Sequence, residues 1–224
     1  MDSPAMLDRM TYDLVLPPGW VRIPADERAE PTARAIIQSI VKDLPPHQAT
    51  KARTFMRQQM TSAIAYARQS NGLDLFLPVA PVAGAPVPAS IVVSRLRPTD
   101  DARSPQEVLL AFAARGGAAA TQLDGVLAVR RVVELPASTG GADRPEGPAS
   151  RQVTYLAHAS WLDQWVSITA SIVRLPMPDA DEMVDAVQIL VDAIVDTFRF
   201  ETRGRAASTS IDSAGTPAAP GGRS

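Results

Sequence analysis

Apolar and polar positions along the chain fall into short alternating runs and longer helical stripes. Tyr12-Asp13-Leu14-Val15-Leu16 reads as an extended run, and Pro17-Pro18-Gly19 forces a turn into Trp20-Val21-Arg22-Ile23-Pro24. This predicts an opening hairpin with Trp20 in the core. A helix follows from near Pro31, a residue suited to a first helical turn, with Ile36, Ile37, Ile40, Val41 and Leu44 at helical spacing. Pro45-Pro46 stops it. A longer helix is expected over about 47–69, burying Ala52, Phe55, Met56, Met60, Ala63, Ile64 and Ala67, and Asn71-Gly72 ends it.

Strand patterns then take over at 73–79 and 89–96, separated by the Pro/Gly-rich turn 81–88. Ser104-Pro105-Gln106-Glu107 has the spacing of a capping box, in which serine and glutamate each satisfy a backbone N–H of the other. The helix it opens carries Val108, Leu109 and Phe112 and ends at Gly116-Gly117. Further strands are predicted at 126–135, 153–157 and 165–172, with a long flexible hairpin loop at 137–150. A closing helix starts at Asp179, where Glu182 suggests a second capping box. Its apolar stripe is Met183, Val187, Leu190, Val191, Ile194 and Phe198, with Asp185, Gln188, Asp192, Asp196 and Arg199 on the opposite side.

Hairpins dominate this order and regular βα alternation is missing. The expected class is therefore α+β: a mainly antiparallel sheet flanked by helices, as a three-layer α-β-α sandwich. Residues 1–10 read as a flexible N-terminus, 11–200 as a single domain, and 201–224 as a disordered tail of Ala, Ser, Gly, Pro and Arg.

Composition narrows the chemistry. Of 224 residues 46% are apolar, 36 of them alanine, which still leaves enough larger side chains for one core. There is no cysteine, and the two histidines are His47 and His158. Thiol catalysis, disulfides and thiolate metal sites are excluded. The net charge of −2 gives no whole-chain basic footprint for nucleic acid. The cations are 20 arginines against Lys42 and Lys51, a bias that suggests a GC-rich, actinobacterial genome. No apolar run reaches membrane-spanning length, and no signal-peptide pattern is visible, so a cytoplasmic protein without a membrane partner is expected.

Phosphate-loop, dinucleotide, zinc-protease and nucleophile-elbow motifs are all missing. Asp179, Asp181, Glu182 and Asp185 read as first-turn acids that complement a helix dipole, not as a metal cluster. Arg53, Arg57 and Arg68 read as a solvated basic strip. No cofactor, metal site or catalytic residue is assigned. Two features remain as candidate partner-binding surfaces. Trp161 and Trp165 bracket a turn with His158 nearby, and an exposed tryptophan at a turn is a binding anchor; burial in the core is the competing reading. Val82 and Val87 sit in the Pro81–Pro88 turn, where proline leaves few backbone donors.

The opening Tyr12-Asp13-Leu14-Val15-Leu16-Pro17-Pro18-Gly19-Trp20 resembles the start of PsbP-like and related LpqN-like actinobacterial proteins. The end, Asp192-Ala193-Ile194-Val195-Asp196-Thr197-Phe198-Arg199-Phe200, is similar to their closing helix. The resemblance implies a three-layer sandwich used for binding protein partners, with a link to type VII secretion. The chain departs from LpqN-like lipoproteins in showing no signal peptide or lipobox cysteine. The expected function is thus a non-enzymatic protein-interaction module, an adaptor or chaperone. The alternative is a small-ligand-binding protein, or an enzyme without a recognisable motif, using Asp74, Asp124, His158 or Arg131. A homo-oligomer joined through the Trp161/Trp165 hairpin is also open.

Overall fold

The computed structural model describes residues 10–42, 44–81, 84–85, 87–96, 103–140 and 147–201. The tail expected beyond 201, the first nine residues and Val82 lie outside them. Nine strands and four helices follow one another among the described residues: β1 (Thr11–Asp13), β2 (Trp20–Pro24), α1 (Ala29–Val41), α2 (Pro46–Gln69), β3 (Gly72–Pro78), β4 (Ala89–Leu96), α3 (Pro105–Ala113), β5 (Ala118–Leu123), β6 (Val126–Leu135), β7 (Ser150–Ala159), β8 (Gln164–Val173), α4 (Ala180–Asp196) and β9 (Arg199–Glu201). Seven strands form one sheet in the order β2-β3-β4-β8-β7-β6-β5, and every pairing is antiparallel. The class is α+β, as the hairpin-rich order implied.

The strands alternate between two buried faces, and this alternation creates the layers. Ile91 and Val93 of β4, Tyr155 and Ala157 of β7, and Ile168 and Ile172 of β8 point to one face, where Val184, Val187, Val191 and Ile194 of α4 cover them. Val92 of β4 and Leu75 of β3 point the other way, against Ala33, Ile37, Met60 and Ile64 of α1 and α2. Leu156 of β7 and Val129 of β6 share that second face and receive Leu109 of α3. In register, Val92 lies beside Thr169 and Thr169 beside Thr154, so the helical hairpin α1/α2 and α3 cover opposite ends of one face.

The opening hairpin does not form. Pro17 accepts the Trp20 N–H across the turn, yet β2 pairs with β3, while β1 leaves the main sheet and pairs with β9 in a separate ribbon. The cause is the aromatic set at the end of α4: Phe198 stacks on Tyr12 and meets Phe200 of β9 edge-on, which holds β1 over the α4 face. Tyr12 is further pinned through its hydroxyl, which donates to buried Asp74 on β3 at 2.5 Å, and Asp74 also accepts from Arg22 at 2.6 Å. Burial, with the Asp74 carboxylate beside it, drives the Tyr12 phenol far above its usual range and keeps it a donor.

Further differences from the expected elements have local causes. Ser104 and Glu107 make the capping box as read. Asp179 does not cap: it sits at φ 61°, left-handed, and its side chain bonds none of the first α4 amides. The helix buries Val184 and Val195 beside the expected stripe, because the sheet covers a wider arc of it. Its supposed polar side is partly turned to the sheet: Asp192 binds Arg130 and Tyr155, and Asp185 and Gln188 bind Arg151. No described helix is long and apolar enough to cross a membrane.

Candidate functional site

The sequence candidates do not converge. Trp165 is 6% exposed and lies in the α3-side core, tilted against the His158 ring with centroids 4.9 Å apart. His158 is nearly covered, its Nε2 3.4 Å from the exposed Asp163 carboxylate. Trp161 is 50% exposed and packs edge-on against Phe200 of the β1/β9 ribbon, 5.4 Å between centroids. The two tryptophans therefore serve opposite faces of the sheet. Val87 is half-buried and packs on the α4-side core. The polar residues considered for a ligand are equally dispersed. Asp74 holds Tyr12 and Arg22, Asp124 accepts the Phe200 N–H in the β5–β6 turn, and Arg131 donates to the Gly116 carbonyl.

A cleft of about 580 Å³ lies instead between α1 and α2, in the size range of ligand sites. The two helices pack side by side, and Arg68 near the end of α2 grips Glu30 at the start of α1 at 2.6 Å. Arg68 also donates to the carbonyls of Ala25 and Asp26, so it locks the hairpin and leaves the basic strip to which the sequence assigned it. Ala33, Ile37, Met60 and Ile64, all buried, form the floor. Arg34 and Gln38 of α1 and Arg53, Arg57 and Thr61 of α2 form the walls, all exposed.

The electrostatics of this cleft are one-sided. Arg34, Arg53 and Arg57 make no ion pair or hydrogen bond with any described residue, whereas Arg22, Arg28, Arg68, Arg130, Arg151, Arg174 and Arg199 all face carboxylates. Arg53 and Arg57 stand one helical turn apart, a like-charge spacing that costs helix stability by itself. Glu30, the acid among the lining residues, is already engaged by Arg68, which holds its carboxyl below the usual range. Guanidinium forks recognise carboxylates and phosphates in bidentate fashion. The arrangement is therefore one of three guanidiniums, with no carboxylate partner among the described residues, above an apolar floor. The sequence hid it, since Arg34 belongs to another helix and the apolar floor reads as ordinary core. Among the described residues no group of His, Asp and Glu is placed to hold a metal ion.

The fold is thus an α+β sandwich with a cleft opened in one helical layer. No family model matches the chain, and no curated protein matches it. Solved structures do. The chain is similar to LpqN of Mycobacterium tuberculosis, described as involved in cell envelope biogenesis, at 13% identity over 87% of each chain with a TM-score of 0.45. It is also similar to the Ran-binding protein Mog1p of Saccharomyces cerevisiae, at 15% identity over 84% of this chain and 89% of that one, TM-score 0.39.

Proposed function

We propose that the chain is a protein-interaction module that docks an acidic segment of a partner in the α1/α2 cleft. One observation carries this reading: three arginines that pair with no carboxylate among the described residues line a cleft whose floor is apolar. A partner segment with carboxylates about 6 Å apart matches the Arg53/Arg57 spacing of one helical turn. Asp or Glu at every second position of an extended strand meets that condition, as do acids at i and i+4 of a helix. Association driven this way weakens with salt, because the pairs are exposed.

In its narrower form the reading is of a non-enzymatic adaptor or chaperone in the cytoplasm, serving actinobacterial type VII secretion. The likeness of Tyr12–Trp20 and Asp192–Phe200 to LpqN-like sequences supports that form. It is tested by asking whether a defined component of that machinery co-purifies with the wild-type chain and is lost from an Arg57→Glu variant.

The cleft itself is tested with a fluorescein-labelled peptide of alternating Glu and Leu, alongside the same peptide with Gln for Glu. Fluorescence anisotropy should show salt-sensitive binding of the acidic peptide alone, weakened at least tenfold by Arg53→Glu or Arg57→Glu. Equal binding of both peptides, or indifference to both substitutions, defeats the reading. The cleft volume also favours a second reading, a small anionic ligand with an apolar body. Anionic metabolites that raise the melting temperature of the wild type and not of Arg57→Glu would establish it.

A further inference from the structure

The two edges of the seven-stranded sheet differ in how they are protected. β2 at one edge carries Pro24 and runs within a few residues into α1. β5 at the other is Ala-Ala-Ala-Thr-Gln-Leu: six residues without a charge or a proline. Its register with β6 is continuous from Ala118 opposite Arg131 to Leu123 opposite Val126, with no bulge to twist it away. Natural sheets blunt open edges with charged side chains, prolines or bulges, because a row of unpaired N–H and C=O groups is a template for another strand. None of these devices is present on β5.

The outward groups can be named. The Val132 N–H donates to the Gly117 carbonyl at 2.9 Å, which makes Gly117 and Val132 a hydrogen-bonded pair. Bonded and non-bonded pairs alternate along an antiparallel ladder, so Ala119, Thr121 and Leu123 turn their amides to β6. Ala118, Ala120 and Gln122 turn theirs outward. The ladder stays regular to its end because Asp124 and Gly125, at φ 51° and 77°, make the tight turn that matches strand twist.

We infer that β5 is the interface through which two copies of this chain join, edge to edge and antiparallel, about a two-fold axis at Ala120. In that register Ala118 lies opposite Gln122 of the second copy and Ala120 opposite its own equivalent. Every outward N–H meets an outward C=O. The occupant is a second copy because β5 is neutral and self-complementary, while its outward-paired side chains (Ala, Ala, Gln) offer a foreign strand no pocket and no charge to read. Leu110 of α3 and Leu127 of β6, 69% and 57% exposed, add apolar surface on both elements that border the edge. The proline on β2 blocks the head-to-tail β2–β5 alternative that would grow a fibre, so the contact closes as a dimer. This interface is distinct from the Trp161/Trp165 hairpin and independent of the α1/α2 cleft.

The test is the mass of the full chain by sedimentation and light scattering, over a dilution series from the highest soluble concentration downward. The expected limit is twice 23.8 kDa, and the amides of Ala118, Ala120 and Gln122 should exchange more slowly as concentration rises. Ala120→Lys places two like charges face to face across the axis and should give a monomer that melts where the dilute wild type does, with unchanged acidic-peptide binding. If that variant does not fold, Gln122→Lys, at another exposed position, takes its place. A monomeric wild type at every concentration overturns the proposal. So does a dimer that survives the lysine with those three amides still exchanging fast.

Discussion

Replacing Tyr12 with Phe removes one oxygen from the molecule and tests how the β1/β9 ribbon is held. The ring keeps its stack on Phe198, 5.2 Å between centroids, and the Arg22 guanidinium keeps its place 5.0 Å above it. No cavity forms, so the loss is the hydrogen bond to the Asp74 carboxylate. Bonds to charged acceptors contribute about 1.5–3 kcal/mol. For a domain of this size each kcal/mol moves the melting temperature by about 2–4 °C, so Tyr12→Phe should melt roughly 3–12 °C lower. Asp74→Ala should cost more, because it strands the buried Tyr12 hydroxyl at about 1–3 kcal/mol while the half-exposed Arg22 returns to water. The decisive quantity is the double variant. With Phe at 12 there is no hydroxyl to strand, so Asp74→Ala should be cheaper in that background by about 1–3 kcal/mol. Urea melts of the four proteins, followed by circular dichroism, supply the cycle. Strict additivity, or a Tyr12→Phe loss below about 0.5 kcal/mol, would refute the account.

Other outcomes follow from the same structure. Both Tyr12 and Tyr155 have phenols raised far above the ordinary value of 10.0 by burial and a bound aspartate. A raised folded value means stability is intact below about pH 10 and is lost progressively above it, so phenolate absorbance from these two should grow in step with unfolding. Ser104→Ala breaks the capping box and should cost about 1 kcal/mol. Glu107, whose carboxyl is lowered by the Ser104 N–H and hydroxyl, contributes stability that is present at neutral pH and fades as acid protonates it; the Ser104→Ala penalty should therefore shrink toward low pH in acid melts. Gly117→Ala meets both a left-handed backbone and the Val132 carbonyl oxygen, which leaves no room for the new carbon, and should destabilise by more than about 1 kcal/mol in thermal melts.

Strong local patterns were legible in the chain. Strands 89–96 and 126–135 stand where periodicity put them, since β-branched runs between turn residues have few other options. β5 escaped because alanine and glutamine carry no strand signal; it is a strand through its pairing with β6. The opening hairpin was misread for the converse reason: its turn is real, but partners 190 residues apart, Thr11 and Glu201, outcompete the neighbour. The cleft follows the same rule. Spacing along α2 groups Arg53, Arg57 and Arg68 together, while the fold gives Arg68 to Glu30 and brings Arg34 across to the other two.

The ribbon of β1 and β9 also sets how the domain responds to load. Its strands run antiparallel with Thr11 beside Glu201, so tension applied at the two flanks meets the bonds one at a time. They would part like a zipper, and the load then falls on the bond from the Tyr12 hydroxyl to Asp74, the tie between this ribbon and β3. One hydroxyl–carboxylate contact thus stands between the opening of a three-residue ribbon and strain on the main sheet.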